Sequence, residues 1–154
     1  MAPTIFIVPG IYEGPTVFEP LRSVLEGYGY AVHLTRLPST GTASPGNPTM
    51  DDDVAAIAAD LAAVVARAGA HGVVVVCHSA GGFLGSAAMR GLTAGPRRAG
   101  GKEGGGGGGG GVIKMVFLAA GIGPEGLEHK PQPFMEFHVR CPRPLSEREG
   151  DEMI

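Results

Sequence analysis

Four consecutive valines, Val73 to Val76, constrain the fold of this 154-residue chain more than any other feature of its sequence. A strand that is apolar at every position, rather than at alternate positions, must be covered on both faces. Three other short apolar, β-branched runs, at residues 4–8, 31–35 and 112–119, are also predicted to be strands. We therefore expect residues 73–77 to form a central strand of a parallel sheet.

The segments between these runs show the spacing of helices. Thr16 and Glu19 match a capping box, in which two residues at the start of a helix exchange hydrogen bonds, and apolar residues then recur at helical spacing up to Gly27. A third helix is predicted directly after the valine strand, over residues 80–93. Alternating strands and helices predict an α/β fold, a three-layer, doubly wound parallel sheet with its ligand site at the carboxyl ends of the strands.

The second predicted helix begins at three consecutive aspartates, Asp51, Asp52 and Asp53, and continues as an apolar stripe to Val65 before Gly69 ends it. Acidic side chains are favoured at the positive N-terminal end of a helix. Three successive side chains point in different directions, so we interpret the aspartates as solvated charges and not as metal ligands.

The composition and charge exclude several classes of protein. The chain is 44% hydrophobic and 18% charged with a net charge of -3, and it has no basic cluster that could neutralise the phosphates of a nucleic acid. Cys77 and Cys141 match no zinc or disulfide pattern. The N-terminus has no basic region and too short an apolar stretch for a signal peptide or a membrane span. We expect a cytoplasmic protein that binds neither nucleic acid nor membranes.

Glycine and proline mark the limits of the predicted domain. Residues 95–111, which include eight consecutive glycines, are predicted to be a flexible loop. Beyond residue 120 the prolines recur without any sustained period. We expect the N-terminal part of one domain over residues 1–126 and an irregular or disordered tail over residues 127–154.

Two glycine motifs resemble nucleotide sites. Residues 121–126 satisfy G-x-G-x-x-G after a strand, but Pro124 and the prolines that follow deny the helix whose N-terminus would bind pyrophosphate. Residues 95–102 resemble a phosphate loop only loosely, and Glu103 replaces the Ser or Thr that would bind magnesium. We therefore expect no cofactor and no metal.

The most specific functional motif lies where the valine strand ends. Cys77-His78-Ser79-Ala80-Gly81 differs from the nucleophile elbow, G-x-S-x-G, only at its first position. In that motif the serine occupies a strained turn between a strand and a helix, and small residues on either side let the chain pass close to its neighbours. Cysteine is small, so Ser79 is the predicted nucleophile. The alternative is that Ser79 is an ordinary N-cap of the third helix.

With this elbow the chain resembles the α/β-hydrolase superfamily over residues 4–126, especially the small-esterase branch that includes plant methyl esterases and hydroxynitrile lyases. The resemblance extends to other segments: Pro9-Gly10-Ile11-Tyr12, Gly27-Tyr28-Gly29-Tyr30, Pro38-Ser39-Thr40-Gly41, the aspartate-rich helix start and Val116-Phe117-Leu118-Ala119-Ala120. It implies that the backbone N–H groups of Ile11 and Ala80 form the oxyanion hole beside Ser79.

The resemblance also implies two further strands, whose loops would bring the acid and the histidine of a catalytic triad. The chain ends before them, so we expect a truncated fold that lacks the last strands. His78 is expected to point away from Ser79. His129 and His138 are expected to be solvated loop residues, and Glu125 is given no role. The general base is therefore unassigned.

The first hypothesis is a serine hydrolase acting on a small carboxylic ester. Its activity is expected to be weak or absent, because no general base is identified to assist Ser79. The alternatives are a truncated, non-catalytic relative that binds a ligand or a partner, and a lyase on the same fold. The strand at residues 112–119 would then lie at the edge of the sheet with no strand beyond it, and Lys114 is its only charged residue. We therefore expect self-association through this open sheet edge.

Overall fold

The computed structural model describes residues 2–41, 48–94 and 110–123. Strands and helices alternate along them in the predicted order: β1 (Thr4–Val8), α1 (Glu19–Gly27), β2 (Val32–Leu34), α2 (Met50–Ala68), β3 (Val73–His78), α3 (Gly81–Ala88) and β4 (Val112–Leu118). Short 3-10 helices precede α1, at Pro15–Phe18, and follow α2, at Gly69–His71. These elements belong to one compact unit, Met1–Gly123. The predicted domain end at residue 126 and the tail over residues 127–154 lie outside the described residues.

The four strands form one parallel sheet in the order β2-β1-β3-β4. Side chains on one face of the sheet pack with those of α1, and side chains on the other face pack with those of α2 and α3. The predicted three-layer, doubly wound α/β architecture is confirmed.

The valine strand is covered on both faces, as its composition predicts. Val73, Val75 and Cys77 belong to the core shared with α2 and α3, whereas Val74 and Val76 pack in the core on the α1 face. Side chains alternate across a strand, so only a segment that is apolar at every position can serve both cores.

The strand order places a topological switch point, the usual position of a ligand crevice, between the carboxyl ends of β1 and β3. The chain leaves β1 toward β2 and leaves β3 toward β4, in opposite directions across the sheet. In open α/β sheets ligands bind at such a switch point, because the two diverging loops leave space between them. The loop after β1 and the turn after β3 therefore define the candidate site.

The predicted capping box at Thr16 and Glu19 is wrong. Thr16 lies in the 3-10 helix, and α1 begins separately at Glu19 after Phe18, whose side chain makes no capping hydrogen bond. Pro15 and Pro20 each stand at a helix start, which is where proline is tolerated, so the chain makes two short helices instead of one.

The third helix is shorter than predicted. It ends at Ala88 and not near residue 93. Gly91 adopts a φ of +77°, which reverses the chain and lets Thr93 pair with Val112. The Gly-rich loop predicted over residues 95–111 also ends in packed structure, because the carbonyl of Gly111 accepts a hydrogen bond from the Val73 N–H at 2.9 Å.

The aspartates at the start of α2 are not all solvated. Asp53 is 1% exposed, and its carboxylate accepts hydrogen bonds from the N–H of Ser39, at 2.9 Å, and from its hydroxyl, at 2.6 Å. Asp52 forms a capping box with Thr49, and the hydrogen bonds from the Thr49 N–H and hydroxyl lower the pKa of Asp52. The solvated-charge interpretation is therefore wrong for Asp53, which fastens the loop after β2 to α2.

Residues Met50–His71 are long and apolar enough to cross a membrane by length and composition alone. Core helices of soluble proteins also meet that criterion. In this chain Ile57, Leu61 and Val64 of α2 are buried in the core beneath the sheet, which is the pattern of a core helix.

Candidate active site

Ser79 lies on a strained turn between β3 and α3. Its φ is +52°, in the left-handed region that non-glycine residues seldom adopt, and its side chain is exposed. The alternative that Ser79 caps the helix is wrong, since α3 begins at Gly81 with Ala80 as its N-cap and has no side-chain capping bond. The backbone at Ser79 has the geometry that the nucleophile-elbow motif predicts.

Glycines allow the elbow to lie against the loop after β1. A Cβ atom on Gly81 would lie 2.7 Å from the carbonyl oxygen of Val8 and 2.5 Å from that of Pro9. Across the same contact, a Cβ atom on Gly10 would lie 2.8 Å from the Cβ of Ser79. Side chains at these two positions would push the turn and the loop apart.

Cys77 holds the first position of the elbow and is fully buried. Its Sγ atom faces α3 at Gly85, where an added Cβ would approach it to 2.7 Å. Burial raises the pKa of the Cys77 thiol to about 12, so the thiolate needed for nucleophilic chemistry is scarce at neutral pH. Cys77 is thus a small, buried and free thiol.

The two amides predicted to bind an oxyanion belong to residues of the elbow and of the loop after β1. Ala80 follows Ser79 directly, and Ile11 follows Gly10 in the loop after β1. Within residues 2–41, 48–94 and 110–123, neither of these N–H groups donates a hydrogen bond to a protein acceptor. Among the described residues, neither donor therefore has a competing protein acceptor.

Glu13 is a site residue that the sequence reasoning missed. Its Oε2 accepts a hydrogen bond from the Gly10 N–H at 2.6 Å. The Nδ1 atom of His78 lies 2.9 Å from the same oxygen and 2.8 Å from Oε1. The His78 ring also packs edge-on to Phe18, with 5.7 Å between ring centroids. The only sequence signal was a single acidic residue in the loop after β1.

The end of β4 closes the other side of the elbow. The N–H of Gly121 donates to the carbonyl of Ser79 at 2.9 Å, and a Cβ on Gly82 would collide with the Gly121 carbonyl. Gly121 is thus part of the packing around the turn. In the sequence Gly121 stands out only as the first residue of a rejected dinucleotide motif.

Comparison with protein-family models identifies a family whose nucleophile elbow has the geometry found at Ser79. A model described as the alpha/beta hydrolase family matches residues 5–152, which is nearly the whole chain. The chain belongs to the alpha/beta hydrolase family. Membership in this hydrolase family supports a hydrolase-type function in general terms. A search among curated proteins finds no match.

The base of this alpha/beta hydrolase is not found among its described residues. In those ranges no hydrogen bond joins Ser79 to a histidine: His33 bonds to Asp60, and His78 bonds to Glu13. The other candidates named from the sequence, His129, His138 and Glu125, lie outside the described residues. No group of three or more metal-ligating side chains is found in the part of the chain that the structure describes.

Proposed function

We propose that this alpha/beta hydrolase is a serine hydrolase of small carboxylic esters, with Ser79 as its nucleophile. The observation that carries the proposal is the left-handed backbone of Ser79, φ +52°, at the carboxyl end of β3. A serine held on such a turn exposes its hydroxyl to the crevice instead of folding it into a helix or strand. The ester class follows from the resemblance to the small-esterase branch.

In the proposed reaction the Oγ of Ser79 attacks the ester carbonyl carbon, and the alcohol leaves to give an acyl-serine that water then hydrolyses. Negative charge develops on the carbonyl oxygen during the attack. The N–H groups of Ile11 and Ala80 would stabilise that charge, because they are donors with no acceptor among the described residues.

The reaction is expected to be slow if no histidine assists Ser79. General-base assistance typically contributes about 10²- to 10⁴-fold to the rate. A hydroxyl without that assistance still reacts with an activated phosphonate, because the reagent carries a good leaving group. Phosphonate labelling is therefore a more sensitive test than the turnover of an ordinary ester.

The experiment is labelling of the folded protein with a fluorophosphonate, followed by mass spectrometry of the modified peptide. We expect slow modification of Ser79 that is lost in Ser79→Ala and retained in Ser23→Ala, an exposed serine on α1. Labelling that persists in Ser79→Ala contradicts the assignment. Fast labelling would contradict the expectation that Ser79 has no general base. If fast labelling were then lost in His129→Ala or His138→Ala, the substituted histidine would be that base.

A non-catalytic relative is the second candidate, and the lack of a hydrogen bond between Ser79 and any described histidine favours it. On this alternative, wild-type protein and Ser79→Ala would show the same background labelling while their circular dichroism spectra show the same folded state. A ligand or a partner protein would then use the crevice without reacting.

A further inference from the structure

We infer that Glu13 and His78 form a bridge that sets the distance between the two halves of the proposed oxyanion hole. One half is the oxyanion loop, residues 10–12, which carries the Ile11 N–H. The other half is the elbow, which carries the Ala80 N–H. Glu13 is therefore a positioning residue for the reaction, and His78 holds Glu13 in place. This inference rests on the proposed function.

Glu13 shapes the oxyanion loop through Gly10. The Glu13 N–H donates to the Gly10 carbonyl at 3.2 Å, and the Glu13 carboxylate accepts from the Gly10 N–H at 2.6 Å. Both the carbonyl and the N–H of Gly10 are thus hydrogen-bonded to Glu13, which closes the turn. Inside it Tyr12 has a φ of +69°, an unfavourable conformation for a residue with a side chain. Such a conformation persists only where its surroundings impose it.

His78 ties this turn to the nucleophile. An ionised carboxylate only accepts hydrogen bonds, so the Nδ1 atom of His78 must carry the proton that lies between it and Glu13. That nitrogen lies 2.8 Å and 2.9 Å from the two carboxylate oxygens. His78 is the last residue of β3 and directly precedes Ser79, so a shift of the elbow would break the contact between His78 and Glu13.

The bridge lies beside the nucleophile. A Cβ built on Gly10 would lie 2.8 Å from the Ser79 Cβ and 2.9 Å from Oε2 of Glu13. The Ser79 side chain and the Glu13 carboxylate therefore lie next to the same face of Gly10. The side chain of Glu13 is 23% exposed and that of His78 is 33% exposed, which limits the competition of water for their contact. The pairing of β1 with β3 ends at Val8 and Cys77, so the bridge adds a polar contact between the loop and the elbow beyond the last strand pair.

The test compares Glu13→Ala, Glu13→Gln and His78→Ala with Glu19→Gln, a matched control at an exposed acid of α1. The first readout is the proton chemical shift of the Gly10 amide, which a short hydrogen bond to a carboxylate moves downfield. We expect that shift to be lost in Glu13→Ala, reduced in His78→Ala and unchanged in the control. A glutamine side chain retains an acceptor oxygen, so Glu13→Gln should restore part of the shift.

The second readout is the kinetics of fluorophosphonate labelling at Ser79, separated into the maximal rate and the half-saturating concentration. Small misplacement of reacting groups can cost about 10²-fold in rate. We expect a loss of about that size in the maximal rate for Glu13→Ala, with the half-saturating concentration nearly unchanged and Glu13→Gln partly restored. Partial unfolding would instead raise the half-saturating concentration, because less of the protein would be able to bind the reagent.

The outcomes distinguish this inference from the proposed function. Wild-type protein that is not labelled at all refutes the function, while loss of the Gly10 shift in Glu13→Ala would still support the bridge. A shift unchanged in Glu13→Ala overturns the bridge whatever the labelling shows. So does a labelling rate unchanged in Glu13→Ala, or loss of labelling in His78→Ala with the Gly10 shift intact, because that pattern would make His78 the base.

Discussion

The Sγ atom of Cys77 fills the space into which a side chain on Gly85 would project, since a Cβ on Gly85 would lie 2.7 Å from it. The two residues share one volume between β3 and α3. A nucleophile elbow ordinarily has glycine at the position of Cys77. In this chain the added sulfur is accommodated by the absence of a side chain on the facing helix.

We predict that Gly85→Ala destabilises the fold although alanine favours a helix over glycine by about 1 kcal/mol. Overpacking against the sulfur should lower the free energy of unfolding by about 1–3 kcal/mol. The double variant Cys77→Gly, Gly85→Ala should recover stability relative to the sum of the single changes. Urea denaturation measures all three, with Gly27→Ala, where nothing lies within 4 Å of the new Cβ, as the control.

Cys77 should resist thiol reagents in the folded protein. It is buried and its pKa is raised to about 12, so raising the pH from neutral to 9 should leave its reaction slow. Cys141 should be modified first, and Cys77 should react quickly once the protein is unfolded in guanidinium. Mass spectrometry of iodoacetamide-treated protein identifies the order, and modification of Cys77 ahead of Cys141 would contradict the prediction.

Asp53→Ala should destabilise the protein much more than Asp51→Ala does, although the two aspartates stand two positions apart in α2. Asp53 is buried and accepts two hydrogen bonds from Ser39, whereas Asp51 is exposed. Hydrogen bonds to a charged group contribute about 1.5–3 kcal/mol each to stability, so the expected loss lies in or above that range. Equal unfolding free energies for the two variants would show that this contact does not stabilise the fold.

Asp60 should give the fold a stability component that is lost in acid. Burial alone would raise the pKa of Asp60, but hydrogen bonds from His33 and Thr35 and the charges of His33 and Arg67 outweigh it, and the pKa lies below its ordinary 3.8. This component is therefore fully present above pH 3.8 and declines as the pH falls through the lower folded-state pKa.

Unfolding of wild type and Asp60→Asn, measured from neutral pH down to acid, tests this dependence. The difference in unfolding free energy should narrow as the pH falls below about 4, where the carboxylate of Asp60 becomes protonated. A difference that is independent of pH would show that the carboxylate charge of Asp60 does not contribute.

The edge of the sheet at β4 should promote self-association. Among the described residues β4 pairs with β3 and otherwise only with Thr93, through an isolated bridge at Val112. Ile113 and Leu118 of β4 are 52% and 39% exposed. Unpaired backbone groups beside exposed apolar side chains favour pairing with a second chain. Ile113→Lys should raise the monomer fraction in sedimentation velocity. A wild-type protein that is monomeric at micromolar concentrations, with no change in the variant, would contradict this prediction.

The elements and the elbow were predictable because their signals are local. Continuous apolar runs at residues 4–8 and 73–77 require strands covered on both faces, and the structure has them there. Ser79 stood out because a few neighbouring residues determine whether a strand can turn sharply into a helix. The helix starts were less predictable: Thr16 carries a capping signal in the sequence, but it lies in a 3-10 helix and caps no α-helix.

The polar contacts around the site depend on the tertiary structure alone. Glu13 and His78 are 65 positions apart and meet only because β1 and β3 are neighbours in the sheet. Asp53 follows two other aspartates, and nothing in that run indicates which of them would be buried against Ser39. The preference of a residue for helix or strand, and the spacing of apolar residues along the chain, are properties of short segments. A hydrogen bond between side chains that are distant in sequence depends instead on how the sheet brings separate loops together.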